Sequence, residues 1–341
     1  MAKLNLLFVV HRYVPYPGGS EYYVQAMAEE CLRRGHTVTV YTDVHKGDWN
    51  GVTVTGDIYI LMRKYDLIVV HGGDVSNQNN VHMHAHILPS PVLYLLISPS
   101  ASPVCLKGLR DAKWLGCSTQ ADWKFCKQHG QLDKAVEIKH GIKYEPFDAD
   151  KKRQDGETFR EKWGIKTKFV MLATGGFWQH KGFEELCQTF LEAELKDWTL
   201  VMTGYHQDAR FEPRGAKDSL QVIVLYLEER ADVKLAMSAA DLIVMNSFQE
   251  GFGLVLLEAM SLKVPWIARG IAGALTLQSY GTIYKDRAGL QDLLEQLKHD
   301  GARAKLLSLD QETAYSYLEE HHSIRSTCNS ILALAQEGLK K

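Results

Sequence analysis

The sequence Asn246-Ser-Phe-Gln-Glu-Gly-Phe-Gly-Leu-Val-Leu-Leu-Glu-Ala-Met260 follows the apolar run Leu242–Met245, which has the length and composition of a buried strand. Its two glycines and the apolar stretch after them indicate a turn that leads into a helix. Glu250 therefore falls in the loop at the carboxyl end of the strand, and Glu258 falls about two turns into the helix, on the face turned toward that loop. Such a strand–loop–helix unit is typical of an α/β fold with a parallel sheet.

The loop between the two glutamates has the features of an anion site. Unpaired N–H groups at the start of a helix favour a phosphate, and here they belong to Gly251, Phe252, Gly253 and Leu254. Carboxylates beside such a site accept hydrogen bonds from hydroxyl groups, which a sugar and a ribose would offer. The pattern therefore predicts a site for a diphosphate that carries sugar groups. The alternative interpretation is a capped helix with two incidental glutamates.

Strand-like and helix-like segments alternate along most of the chain, which predicts a doubly wound α/β protein with parallel sheets. We predict strands at residues 4–10, 37–42, 66–71, 91–97, 114–118, 138–142, 169–173, 199–203, 221–225 and 242–245. We predict helices at residues 21–34, 119–128, 183–195, 230–239 and 254–262. Residues 145–160 are polar and charged, which is typical of a solvated linker or of a solvated helix face, and we place the domain boundary here. We therefore predict two Rossmann-like domains, residues 1–147 and 148–310, that face a cleft.

Composition and charge exclude several classes of protein. The 39 Lys and Arg residues nearly balance the 41 Asp and Glu residues among 341, so the chain lacks the positive field that nucleic-acid binding requires. The sequence contains no apolar stretch of about 20 residues, and the apolar run near the N-terminus is too short for a signal peptide. We therefore predict a cytoplasmic protein without a transmembrane segment, for which peripheral contact with a membrane stays open.

Neither the cysteines nor the histidines predict a metal site. The six cysteines contain no C-x-x-C pair and are interpreted as reduced thiols. His82, His84 and His86 alternate, so that a strand would bring all three to one face, where they could chelate zinc or nickel. A helix is an equal alternative for this polar stretch, and we favour a role without metal.

Gly18 and Gly19 follow the first predicted strand and precede a helix. Paired glycines let a backbone approach a ligand closely, and the helix start after them suits a phosphate. A tight turn that needs positive φ angles is the alternative. The spacing is not G-x-G-x-x-G, which counts against a dehydrogenase.

The string E-G-F-G-L-x-x-x-E-A-M with Pro265 after it resembles the E-x7-E signature of the family 4 retaining glycosyltransferases. Other matches follow in the order of that family: Pro17-Gly-Gly-Ser-Glu21, Lys139-His-Gly-Ile142, the loop from Gly175 to Gly182, Val201-Met-Thr-Gly204 and Ala239-Ala-Asp-Leu-Ile-Val244. The resemblance covers nearly the whole chain and is stronger in the second half.

This resemblance implies the GT-B fold and the transfer of a sugar, with retention of configuration, from a UDP- or GDP-sugar to a glycan, a lipid-linked molecule or another acceptor. It implies no cofactor and no required metal. The first domain would bind the acceptor and the second the nucleotide sugar, with closure excluding water. Residues 311–341 would form a helical segment, with a helix at 311–335, that returns to the first domain.

The resemblance also assigns roles to single residues. Lys181 would neutralise the diphosphate, Glu250 would contact the donor sugar, and Glu258 would hold the ribose hydroxyls. Lys181 and Glu250 are thus the predicted catalytic residues. The backbone around the donor phosphates would come from Gly18, Gly19, Gly251, Phe252, Gly253 and Leu254. His71, which follows a predicted strand, is our candidate on the acceptor side.

Two departures from the family motivate other functions. Gly176 stands where the family usually has an arginine, and Ser98 lies where a histidine is common. Arg269 or His180 could restore the missing positive charge. The departures favour, as an alternative, a catalytically weakened subunit that binds a nucleotide sugar. A nucleotide-sugar epimerase is a third alternative, which the glutamate spacing fits less well.

Overall fold

The computed structural model describes residues 2–42, 44, 46–72, 88–97, 103–205, 213–227 and 229–339. The chain divides into two units, of which the first is formed by Met1–Lys143 with Glu320–Lys341 and the second by Tyr144–Glu319. Each unit is described by itself below.

The observed boundary after Lys143 differs from the limit after residue 147 that we predict. Lys143 donates to Glu29 of the first unit (2.9 Å). The Phe147 N–H donates to the Tyr315 hydroxyl of the second unit (3.0 Å). These contacts join residues far apart in the chain, so the local composition does not reveal them. The return to the first unit likewise begins at Glu320, after the predicted limit at 311.

Strands and helices alternate through both units. In chain order the strands are β1 (Asn5–Val9), β2 (Thr37–Tyr41), β3 (Gly47–Trp49), β4 (Val52–Thr55), β5 (Leu67–His71), β6 (Val92–Leu95), β7 (Trp114–Cys117), β8 (Ala135–Glu137), β9 (Phe169–Thr174), β10 (Trp198–Gly204), β11 (Val222–Tyr226), β12 (Leu242–Met245), β13 (Trp266–Arg269) and β14 (Thr282–Tyr284). The helices are α1 (Gly19–Arg33), α2 (Pro103–Asp111), α3 (Gln120–Gln128), α4 (Ala149–Lys162), α5 (Phe183–Glu192), α6 (Arg230–Ala239), α7 (Leu254–Ser261), α8 (Ala272–Thr276), α9 (Arg287–Gln296), α10 (Asp300–Leu307), α11 (Gln311–His321) and α12 (Ile324–Leu339).

The sheet of the first unit has the strand order β3-β4-β2-β1-β5-β6-β7-β8. Neighbouring strands are parallel except β3 and β4, which pair antiparallel. Asn50 and Gly51 join this hairpin with φ angles of 52° and 81°, which is the backbone of a tight Asn-Gly turn. The hairpin was not predicted, although Asn-Gly between short alternating runs is its usual signal.

The strand predicted at residues 138–142 is wrong. β8 ends at Glu137, before this stretch. Ile138 and Ile142 are buried, which explains the apolar signal, but Ile142 forms only an isolated parallel bridge with Ser323. Buried side chains in a loop therefore produced an apolar pattern that is typical of a strand.

Most of residues 145–160 form helix α4, so the structure shows the second of the two interpretations of this charged run, a solvated helix face. Asp148 caps this helix by accepting from the Lys151 N–H (2.9 Å). The helix buries Phe159 and approaches α6 so closely that a Cβ on Gly156 would lie 2.9 Å from the Ser238 carbonyl oxygen. A helix that buries so few residues has a composition close to that of a linker.

The sheet of the second unit is parallel, with the order β11-β10-β9-β12-β13-β14. The order reverses between β9 and β12, because the chain adds strands first on one side of β9 and then on the other. Ligands of open α/β sheets bind at the carboxyl ends of strands at such a switch point. The loops after β9 and β12 therefore define the candidate site.

The crossovers also determine which helices share a face of this sheet. A right-handed crossover places α6, which runs from β11 back to β12, on the face opposite α5. The next crossover, α7, advances in the same direction as α6 and lies on the same face as α6. The starts of α6 and α7 are thus both at the carboxyl edge, on one side of the sheet.

The segment that we predict as one helix at 311–335 forms two helices, α11 and α12, separated at His322 and Ser323. α12 packs against α1 within the first unit. Arg34 donates to Asn329 (2.7 Å), and the Cys328 thiol lies 3.7 Å from the Met27 carbonyl oxygen.

Two further observations concern the chain as a whole. All six cysteines are buried thiols. Within the described residues, no helix combines the length and the apolar composition that crossing a membrane would require.

Candidate functional site

Lys181 and Glu250 meet where the loops after β9 and β12 come together. Lys181 Nζ lies 2.5 Å from Glu250 Oε1, and their side chains are 20% and 14% exposed. The backbone joins the loops beside this pair, since the Phe248 N–H donates to the His180 carbonyl (2.7 Å). The structure thus brings together the two predicted catalytic residues, which are far apart in the sequence.

The Glu250 carboxyl group is held in its ionised form. Burial raises its pKa, but the charge of Lys181 and the hydrogen bonds from Lys181 and Ser247 outweigh burial and lower the pKa below the ordinary value. The Ser247 hydroxyl donates to Glu250 Oε1 at 2.7 Å. The site therefore contains a carboxylate and an ammonium group in contact, in surroundings that exclude much of the water. Such a pair is screened less than a surface ion pair.

Helix α7 begins abruptly behind Gly253. This glycine has a φ of 90°, and a Cβ here would lie 2.6 Å from Met245 Sδ, so the position requires glycine for both reasons. No side chain caps the helix start, which leaves first-turn N–H groups available to an anion. Phe252, in the loop before the helix, is buried.

Glu258 lies in the second turn of α7, which starts at Leu254, the residue at which we predict the helix to begin. Its carboxylate forms an ion pair with the guanidinium of Arg230, the first residue of α6. Arg230 is not among the predicted site residues. It follows two glutamates in the sequence, so it reads as part of an ordinary charged helix start.

Gly176, where an arginine is usual in the resembling family, faces two aromatic side chains. A Cβ at this position would lie 2.7 Å from Tyr205 Cζ and 2.8 Å from Trp178 Cδ1. The indole N–H of Trp178 reaches the Tyr205 hydroxyl at 3.4 Å. Two aromatic rings thus occupy the space into which a longer side chain at 176 would grow.

Neither residue that could restore the missing positive charge does so. Arg269 forms an ion pair with Glu185 and donates to Asn246 Oδ1 (3.1 Å), so its charge is used within the unit. Burial, followed by the neighbouring charge of Lys181, lowers the pKa of His180. That imidazole is therefore neutral at pH 7.

Asn246 connects the loop after β9 to the loop after β12 through hydrogen bonds. Its side chain donates to the Gly182 carbonyl (2.8 Å) and accepts from the Tyr284 hydroxyl (2.6 Å). Gly182 itself has a φ of 65°, and a Cβ there would lie 2.4 Å from the Asn246 carbonyl oxygen. This buried network fixes the loop that carries Lys181 against the loop that carries Glu250.

In the first unit, Gly18 and Gly19 lie at the start of α1. Gly18 is extended, with a φ of −96°, so a turn with positive φ is the wrong explanation for it. A Cβ on Gly18 would lie 2.0 Å from Glu21 Oε2, so the glycine makes room for that carboxylate. Glu21 is buried and pairs with Arg12 (3.1 Å).

His71 is buried at the end of β5. Its ring stands edge-on to Tyr23, with the centroids 6.3 Å apart. Tyr23 also stacks on His140 at 4.9 Å, whose backbone carbonyl accepts from His322 Nδ1 (2.6 Å). The acceptor-side role of His71 stays a prediction.

Other predicted features fall outside the described residues. His82, His84 and His86 do so, as does the Ser98 departure. Elsewhere, in the parts of the chain that the structure describes, no group of three or more His, Cys, Asp or Glu side chains could hold a metal ion.

Comparison with known proteins finds a family similarity in the second unit. Residues 155–305 match the family model described as "Glycosyl transferases group 1", and this range contains Lys181, Glu250 and Glu258. The lipopolysaccharide glucosyltransferase WaaG of Escherichia coli K12 is 27% identical over 170 residues, which are 48% of this chain and 46% of that protein. The match thus spans about half the length of this curated relative.

Solved structures of similar fold cover nearly the whole chain. HepE of Anabaena, in complex with UDP and glucose, superposes with a TM-score of 0.76 at 18% identity, over 98% of this chain and 100% of that one. The catalytic domain of starch synthase IV from Arabidopsis thaliana, bound to ADP and acarbose, gives 0.73 at 13% identity, with 100% of both chains covered. The chain therefore has the GT-B fold, and its residues 155–305 are similar to the family described as "Glycosyl transferases group 1".

Proposed function

We propose that this protein is a retaining, hexosyl-type glycosyltransferase that transfers a sugar from a nucleotide diphosphate sugar, a UDP- or GDP-sugar, to an acceptor. The observation that carries the proposal is the contact between Lys181 and Glu250 at the switch point of the second sheet, beside the uncapped start of α7. The spacing of Glu250 and Glu258 also matches the family 4 signature.

In this proposal the diphosphate lies at the start of α7 beside Lys181. Breaking the glycosidic bond leaves a nucleoside diphosphate, whose negative charge grows in the transition state. An ammonium group and helix N–H groups that are already in place stabilise that charge without reorganisation. The net charge of −2 does not oppose this, because the stabilising field is local. These groups supply what a metal ion would otherwise supply, so we propose a reaction that needs no metal.

In this proposal the two glutamates accept hydrogen bonds from hydroxyl groups of the donor. Glu250 is ionised and accepts hydrogen bonds from the donor sugar, and Glu258, further along α7, accepts them from the ribose. Hydrogen bonds to a charged group contribute about 1.5–3 kcal/mol, enough to hold each sugar ring in one orientation.

The relatives support the substrate class. HepE was solved with UDP and glucose and with UDP-glucose, and WaaG is described as a lipopolysaccharide glucosyltransferase. For this chain we propose a glycan or a lipid-linked acceptor, bound by the first unit. A cytoplasmic location with peripheral membrane contact stays a prediction.

Removal of the Glu258 carboxylate tests the donor site. We expect wild-type protein to bind at least one of UDP-glucose, GDP-mannose and ADP-glucose saturably in isothermal titration calorimetry. Glu258→Ala should raise the Kd at least about tenfold, because one or two charged hydrogen bonds are lost.

The matched control is Glu192→Ala, which removes a carboxylate that pairs with Arg287 away from the site (2.7 Å). Its Kd should equal that of the wild type, and thermal melting of both variants checks folding. Absence of saturable binding to all three donors, or an unchanged Kd in Glu258→Ala, would refute the proposed site.

A catalytically weakened subunit is the second candidate, because Trp178 and Tyr205 fill the space beside Gly176. Wild-type protein with a binding donor should release free sugar or form a transfer product in a mass-spectrometric assay. Binding without any turnover would favour the subunit instead, and an isomerised nucleotide sugar would indicate an epimerase.

A further inference from the structure

The ion pair between Arg230 and Glu258 connects two helix starts at the carboxyl edge of the second sheet. Arg230 opens α6, and Glu258 lies in the second turn of α7. Their side chains are 36% and 14% exposed, so the carboxylate is largely buried and the guanidinium reaches it from the more open side. A buried carboxylate needs such a partner, because burial without one disfavours its charged form.

The two glutamates of the site are thus paired in the same way. Lys181 neutralises Glu250, and Arg230 neutralises Glu258. The family resemblance predicts both members of the first pair, whereas Arg230, at the start of α6, is not among the residues that the sequence predicts.

We propose that Arg230 is a positioning residue for the ribose of the donor, and that discrimination between ribonucleotides and 2′-deoxyribonucleotides depends on it. The proposal rests on the proposed function, in which Glu258 accepts from the ribose hydroxyls. Arg230 pairs with the Glu258 carboxylate and fixes its orientation, so that its remaining acceptor positions are presented to the 2′ and 3′ hydroxyls.

A carboxylate can serve both partners at once. Its two oxygens offer about four acceptor positions, so a carboxylate that pairs with Arg230 can also accept hydrogen bonds from a diol. The planar guanidinium is always charged and holds a fixed geometry. The orientation of Glu258 is therefore set before the nucleotide arrives, which lowers the entropic cost of binding.

The experiment compares UDP, GDP and ADP with their 2′-deoxy forms by calorimetry, using the 341-residue chain. For the diphosphate that the wild type binds most tightly, we expect the 2′-deoxy form to bind about tenfold more weakly, the loss of one charged hydrogen bond. In Arg230→Met, the Kd of the ribonucleotide should rise about tenfold. The Kd of the 2′-deoxy form should then exceed that of the ribonucleotide by about threefold or less. Arg230→Lys should recover part of the ratio between these two Kd values.

Arg287→Met is the matched control, because Arg287 also pairs with a glutamate of the second unit, Glu192, at the surface. Its Kd values and its ratio should be those of the wild type. Thermal melting of each variant separates loss of folding from loss of binding, and Arg230→Lys provides the test should Arg230→Met fail to fold.

The failure of this proposal differs from that of the proposed function. If the wild type binds a diphosphate but Arg230→Met weakens both forms equally, Arg230 contacts the phosphates or the base, and the proposal is overturned. An unchanged Kd in Arg230→Met overturns it as well. If the wild type binds none of the three diphosphates, the proposed function itself fails, and the proposal falls with it.

Discussion

Replacement of Lys181 with methionine should lower kcat/KM for sugar transfer by about 10²–10³, the usual effect of removing one group that stabilises a developing anion. Methionine retains much of the side-chain length but removes the ammonium group that lies 2.5 Å from Glu250. The leaving diphosphate then loses its only proposed cationic side chain. The rate of product formation at low donor concentration, followed by mass spectrometry, measures the change.

The same substitution leaves the Glu250 carboxylate without its main partner, and its pKa should rise toward the value that burial favours. Lys181→Met/Glu250→Gln removes that unpaired charge, so recovery of the melting temperature without recovery of the rate separates folding from catalysis. Lys263→Met is the matched control, since Lys263 is equally buried, at 18% exposure, and pairs with Glu312. Transfer by Lys181→Met at the wild-type rate would contradict the role of Lys181.

Acidification from pH 7 to pH 5 should destabilise the first unit by about 4 kcal/mol, because His140 and His322 are buried in their neutral forms. Burial, followed by the charges of His71 and His322, lowers the pKa of His140 to about 3. Burial lowers the pKa of His322 to about 4, although its hydrogen bond to the His140 carbonyl opposes this. In the unfolded chain both groups titrate near 6.5.

The sign of this pH dependence follows from which state binds protons. Below about pH 6.5 the two histidines bind protons in the unfolded chain, whereas in the folded unit they stay neutral down to about pH 4. The free energy of unfolding therefore falls as the pH falls. Each histidine contributes about 2 kcal/mol by pH 5, since one pKa unit corresponds to about 1.4 kcal/mol. Above pH 6.5 the effect disappears.

Urea unfolding at pH 7 and pH 5 measures this change. Pulse labelling of β1 and β5 amides by hydrogen exchange, at one fixed labelling pH, reports on the first unit alone. His322→Asn keeps a donor near the His140 carbonyl without the titrating ring. In this variant the decrease in the free energy of unfolding from pH 7 to pH 5 should be about half that of the wild type. His129→Asn, at an exposed site, should leave it unchanged. Equal free energies of unfolding at both pH values in the wild type would contradict the prediction.

The strands that the sequence predicted well are those buried on both faces. β1, β9 and β12 read as continuous apolar runs, because parallel strands are covered on both sides. β13 was missed because it is short and ends in Arg269, whose charge is neutralised by Glu185 from another helix. For α4 the sequence left a linker and a solvated helix face as alternatives, because its charged surface hides the close packing on α6.

The site was predictable to the extent that one continuous segment carries it. The segment from Glu250 to Glu258 and the resemblance of the Lys181 loop predicted the residues that the structure brings together. Arg230 could not be predicted in this way, because its contact with Glu258 depends on the crossover from β11 to β12. The sequence also could not show why position 18 requires glycine, since the Glu21 carboxylate lies against it only in the folded chain.

The position of α12 has a consequence for the order in which a growing chain folds. α12 covers α1, where Cys328 approaches the Met27 carbonyl, but the ribosome makes α12 only after the whole second unit. The second unit is continuous in the chain, from Tyr144 to Glu319, and can complete its contacts during synthesis. Synthesis of the first unit begins first and ends last. The α1 surface around Met27 and Cys31 therefore lacks its contact with α12 throughout translation of the second unit.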